Sequence, residues 1–167
     1  MHGQHGEAHH RSTVIMASSN SRELTGPDDW ITVAERELKN LSGSYRGRLS
    51  SDAKIDYALR TTEAVLKAIL WKHEGWTEWP SKGRKETDFL YRHNLDTLLD
   101  RCGLRTRLQM SPPHRASWQI IVNAVIKQYR YSLTPPSDAE ANSVAKCTRF
   151  PDTGVVPWLL NYYHQMR

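Results

Sequence analysis

Between Arg101 and Ser137 the chain carries six basic residues, Arg101, Arg105, Arg107, Arg115, Lys127 and Arg130, and no Asp or Glu. The formal charge of the whole chain is +5, and the remaining 17 basic residues face all 18 acidic ones. The positive excess therefore lies in this one segment. Guanidinium forks match phosphate oxygens in shape and charge, so Arg105, Arg107 and Arg115, with His114 among them, are candidate phosphate contacts. The partner such a stretch suggests is anionic, most naturally nucleic acid. The other reading is a locally basic face with no ligand.

Other chemistry-bearing residues have plainer readings. Glu63 and Lys67 stand four apart on a helical pattern and read as a solvated ion pair rather than an acid–base couple. His93 stands at a helix boundary, where its ring would accept from free backbone N–H groups or pack on the preceding helix. His73 and His164 have no evident partner. His2, His5, His9 and His10 are close in sequence, but nothing beside them fixes a coordination geometry. Cys102 and Cys147 have neither the CxxC spacing of a zinc site nor the pairing density of a secreted scaffold, and read as reduced thiols. No glycine-rich phosphate loop occurs. Neither a metal nor a cofactor is expected.

The elements that must position these residues are all helical. Residues 1–24 lack apolar periodicity and read as a disordered His- and Ser-rich leader, so residues 25–167 form the expected single domain. Gly26-Pro27-Asp28-Asp29 announces a first helix, with Trp30, Val33, Ala34, Leu38 and Leu41 on one face. The strongest pattern follows from Ser51 to Glu74. There Ile55, Ala58, Leu59, Thr62, Val65, Leu66, Ile69 and Leu70 form one stripe, capped by Ser50 and stopped by Gly75. Residues 75–92 form a long connection in which Trp76 and Trp79 mix with Lys82, Arg84, Lys85 and Arg92. That mixture could stack bases, but the tryptophans more naturally fold back over the end of the bundle. A short third helix carries Leu95, Leu98, Leu99 and Cys102. Arg105 to Met110 reads as a basic loop. A fourth helix opens at Ser111-Pro112-Pro113 and runs to about Tyr131. A fifth covers about Ala139 to Thr148, and a last one starts at Pro157. No segment has the two-residue alternation of a half-buried strand.

Composition agrees with one globular domain. Hydrophobic residues make up 38% and charged residues 25%, which excludes a disordered or fibrous chain. No apolar run approaches the roughly 20 residues of a membrane span, and no secretory signal pattern is present. A soluble, cytoplasmic, all-α bundle of about four to six helices is expected.

Three short motifs, in order, resemble the HEPN superfamily. They are Glu63-Ala64-Val65-Leu66-Lys67-Ala68-Ile69-Leu70, then His93-Asn94-Leu95 with Leu98-Leu99, then Tyr129-Arg130-Tyr131 before a proline-bearing break. The resemblance spans roughly residues 28–148. It implies an up-and-down helical bundle, often dimeric, with one of two activities. The first is binding of RNA or a nucleotide, frequently beside a nucleotidyltransferase or within toxin–antitoxin and defence systems. The second is metal-independent RNA cleavage by an arginine and a histidine with four to six residues between them, paired across a dimer. Arg107 and His114, with six residues between them, are the one pair in this chain at that spacing. The expected partners are therefore RNA or a nucleotide, a second copy of the chain, and an antitoxin or nucleotidyltransferase. An interaction module whose basic face meets an acidic protein is the remaining alternative.

Overall fold

The computed structural model describes residues 24–43, 49–130 and 134–166, with the side chains of residues 128–130 left aside. The expected leader falls almost wholly outside the described residues, as does Tyr131. Among the described residues there are seven α-helices and one 3-10 helix, and no strand. The helices are α1 (Pro27–Leu41), α2 (Ser51–Glu74), α3 (Leu95–Arg101), α4 (Arg105–Gln109), α5 (Pro112–Arg130), α6 (Asp138–Arg149) and α7 (Val155–Gln165). The 3-10 helix, Lys85–Tyr91, lies between α2 and α3. The all-α expectation holds.

The centre of the bundle is α2, which α1, α3, α5, α6 and α7 all contact, α1 most extensively. Its ends follow from local chemistry. Ser50 Oγ accepts from the Ala53 N–H, and Gly75 closes the helix in the left-handed conformation (φ 64°) that glycine adopts without strain. Every residue from Thr61 to Trp71 is buried, so in its second half the helix is enclosed all round rather than along one stripe. Thr61 and Thr62 satisfy their hydroxyls by donating to the carbonyls of Tyr57 and Ala58, four residues back.

The connection after α2 lays its tryptophans over the end of the bundle. Trp79 lies 5.0 Å from Trp30 of α1, 5.3 Å from Trp71 of α2 and 5.6 Å from Trp76, centre to centre. Trp71 Nε1 donates to the Trp76 carbonyl, and Tyr91 donates to that of Pro80. These rings are core cover, not an open stacking platform.

One expected loop is a helix. Residues 105–109 form α4 because Leu104 and Leu108, four apart, are both buried while the arginines between them face outward. Tyr163 of α7 donates to Asp28 at the start of α1 across 2.5 Å, which joins the last helix to the first. Burial and that carboxylate together push the phenol well above its usual range. Cys102 is buried beneath α3, where it donates to the Leu66 carbonyl, and desolvation raises its thiol far above the ordinary value. No helix among the described residues is long and apolar enough to cross a membrane.

Candidate acid–base cluster and basic surface

The enclosure of α2 changes the reading of Glu63 and Lys67. The expected solvated pair is buried, with side chains only 7% and 8% exposed. Lys67 Nζ lies 2.5 Å from Glu63 Oε1, and 4.8 Å above the Trp30 ring, with Trp79 and Tyr91 at about 6 Å. The ammonium thus has a carboxylate on one side and aromatic faces on the others, the two environments that tolerate a desolvated cation. Burial follows from α1 on one flank and the tryptophan connection at the end. Four-residue spacing on α2 alone does not reveal either.

The second oxygen of Glu63 reaches outward. Its Oε2 lies 2.8 Å from Nδ1 of His93, whose side chain is 63% exposed. His93 does meet α2, as one of its two expected roles required, but through a carboxylate. The capping role belongs to Asn94, whose Oδ1 accepts from the Thr97 N–H at the start of α3. His93 is also the one non-glycine residue at positive φ among those described (φ 52°). It lines a cavity of about 280 Å³. Val122 and Ile126 of α5 give that cavity an apolar side, while Arg92, Asn94 and Asp96 give it a polar one.

The acid-free stretch of sequence is not acid-free in space. Arg105 bonds Asp100 through Nε (2.6 Å) and NH2 (3.1 Å), and Asp96 through NH1 (2.9 Å). Those bonds hold the Asp100 carboxyl below the usual range. Lys127 faces Glu140 of α6 at 3.4 Å. The side chain of Arg130 lies outside those described. Arg101, Arg107 and Arg115 are exposed and have no acidic partner among the described residues. The Arg101 guanidinium sits 4.8 Å over Phe89, and that of Arg107 sits 5.0 Å over Tyr162. Arg101 and Arg92 line one open groove with Lys85, Phe89, Glu86 and Asp88. Arg92 belongs to both this groove and the His93 cavity.

Arg107 and His114 come from different helices but rest on the same side of α7. His114 stacks on Trp158 at 5.6 Å, and Arg107 covers Tyr162 one turn further on. The His114 ring is held within the chain: Nδ1 lies 2.6 Å from Ser111 Oγ, and the ring hydrogen-bonds the backbone of Asp152. Burial moves its pKa down, against the opposing pull of that backbone bond, so the neutral ring is favoured at pH 7.

Among the described residues no group of three His, Cys, Asp or Glu side chains is placed to hold a metal ion. No family model matches the chain, and no characterised protein or solved structure matches it either.

Proposed function

We propose that the protein is a HEPN-like helical module that binds RNA or a nucleotide through the basic surface of α3, α4 and α5. In this reading it acts in the cytoplasm, as a homodimer or beside a partner such as an antitoxin or a nucleotidyltransferase. The observation that carries it is the state of three arginines. Arg101, Arg107 and Arg115 are exposed with no acidic partner among the described residues, and two of them sit 4.8 and 5.0 Å over aromatic rings. A guanidinium stacked on a ring keeps its N–H edge free for phosphate and loses little side-chain freedom on binding. Arg105 serves the fold instead, through its bonds to Asp96 and Asp100.

The test is titration of a labelled single-stranded RNA in chelator over a range of salt. Three phosphate contacts give a slope of log affinity on log salt near −2, at about −0.7 per contact. Each of Arg101→Ala, Arg107→Ala and Arg115→Ala should reduce that slope by roughly 0.7. Absence of binding at low salt refutes the reading and leaves the acidic-protein alternative.

Cleavage by Arg107 and His114 is the second reading, favoured by their common seat on α7. His114→Ala would abolish cleavage in that case. The commitment of the His114 ring to Ser111, Asp152 and Trp158 weighs against it, since a base must reach its proton.

A further inference from the structure

We propose that the cavity between α3 and α5 is a binding site for a small uncharged molecule with a flat apolar body and hydrogen-bonding groups along one edge. The inference stands apart from the RNA-binding reading above, because it uses none of Arg101, Arg107 and Arg115.

The cavity follows from how two helices are seated. Both α3 and α5 pack on α2, but among the described residues they make no extensive contact with each other. Val122, Val125 and Ile126 recur at the three- and four-residue spacing of one helix face, so one side of α5 turns toward the gap. Leu95 meets the same space from α3. Leu95, Val122 and Val125 are buried, whereas Ile126 is 38% exposed. The result is a space of about 280 Å³ with an apolar wall that can be reached from outside. That volume lies at the low end of small-molecule sites, which run from about 300 to 1,000 Å³. It suits a body of one or two rings and is too small for a segment of folded protein.

The polar side of the cavity selects against charge. Its arginine and its carboxylates already have partners of opposite sign within the chain. Arg92 donates to Asp88 through Nε and NH2. Asp96 accepts from Arg105 and from Trp118 Nε1, and Asp100 accepts from Arg105 twice. A charged ligand would lose water here without gaining a free counter-charge, and burial of an uncompensated charge is unfavourable.

Three uncharged groups remain open. Oδ1 of Asn94 caps α3, which leaves the amide N–H groups of that side chain to donate. The Thr97 hydroxyl has no partner among the described residues. Trp30 Nε1 is the one buried side-chain polar atom without a partner among those residues, so the Asn94 amide and the Thr97 hydroxyl are both accessible. The third group is His93. Its Nδ1 faces Glu63 Oε2, which only accepts, so Nδ1 carries the hydrogen and Nε2 of the neutral ring is an acceptor. Glu63 is held in turn by Lys67, at 2.5 Å from its other oxygen. A donor, an acceptor and a hydroxyl able to act as either thus line a slot with an apolar wall. Such a pattern reads the edge of a neutral amide while the wall covers its flat face.

The experiment titrates the full chain with cinnamamide, a flat neutral amide, and with its anionic and cationic relatives cinnamate and cinnamylamine. Binding is read from the amide resonances of the protein. Cinnamamide at millimolar concentration should move resonances of residues 93–97 and 122–126, and each charged relative should bind roughly 10-fold or more weakly. Ile126→Trp places a larger side chain in the slot from an accessible position and should weaken cinnamamide about 10-fold or more. Thr97→Val removes the hydroxyl at nearly constant shape and should weaken it roughly 2- to 10-fold, with the melting temperature showing that the fold is kept. No shift with cinnamamide overturns the proposal, as do shifts confined to other residues or a charged relative that binds as tightly. Affinity unchanged in both variants overturns it too. A nucleoside monophosphate that competes with cinnamamide for the cavity overturns the preference for an uncharged ligand.

Discussion

Replacing Lys67 by methionine isolates the energetics of the enclosed pair. Methionine keeps the apolar stem of Lys67 but removes the charge, so Glu63 remains 7% exposed with His93 as its partner. Breaking a buried pair on one side costs about 3–5 kcal/mol, and the retained His93 bond places Lys67→Met near the lower end, at about 3 kcal/mol. For a domain of this size that corresponds to a fall in Tm of roughly 6–12 °C. Glu63→Leu leaves the ammonium facing the Trp30 and Tyr91 rings, which offset the loss by up to about 2 kcal/mol. The double variant Glu63→Leu/Lys67→Met exchanges two desolvated charges for apolar volume and should lie near wild type in stability, or above it. Urea denaturation of the four proteins yields the coupling directly, and a value of several kcal/mol is expected between residues in contact. If each single variant costs less than about 1 kcal/mol, as at an exposed pair, the enclosure of Lys67 is refuted. If the double variant costs the sum of the singles, the desolvation argument is refuted.

Two further outcomes follow from single positions. Arg105 depresses the folded-state pKa of Asp100, so the stability it contributes is present above the unfolded-state value near 3.9 and is lost as pH falls through the lower folded-state value. Both groups are at least a third exposed, so the increment is small; Asp100→Asn should flatten that acid limb of Tm against pH, and an unchanged limb would count against the pair. Gly154 lies in the turn between α6 and α7, where an added Cβ would fall 2.4 Å from the Phe150 carbonyl oxygen and 2.6 Å from its nitrogen, both backbone atoms. Gly154→Ala should therefore cost about 1–3 kcal/mol or more in urea unfolding, and a neutral result would mean that this turn is wrongly described.

The helices were legible wherever one face repeats and an end is marked. Ser50 and Gly75 bound α2 at the residues their types suggest, and Ser137 caps α6 by accepting from the Glu140 N–H. The reading failed at Arg105–Gln109, where one and a half turns hold too few apolar positions to display a period. The signal was there in Leu104 and Leu108, buried four residues apart, but three basic or polar neighbours outweigh two leucines in so short a window. The seclusion of Cys102 followed from its place on the apolar face of α3, because that face has one possible destination.

The site was legible only as a set of residue types, for a reason that particular pairs make plain. Charge was counted along the chain, yet electrostatics act through space: Asp96 and Asp100 come just before the acid-free segment and Glu140 just after it, and all three fold back onto its basic side chains. The same limit hid the cluster on α2. Glu63 and Lys67 at i and i+4 are the usual pattern of a wet helix face, and α2 gives no warning, since Asp56 and Arg60 two turns earlier repeat that pattern and Arg60 does stay in water. What separates the two pairs is who covers them. Trp30 arrives from α1, Trp79 and Tyr91 from the connection after α2, and together they close over Lys67. A buried charge pair with a histidine at its open end is thus a tertiary object, made by segments 30 residues apart, and His93 is its one solvent-exposed member.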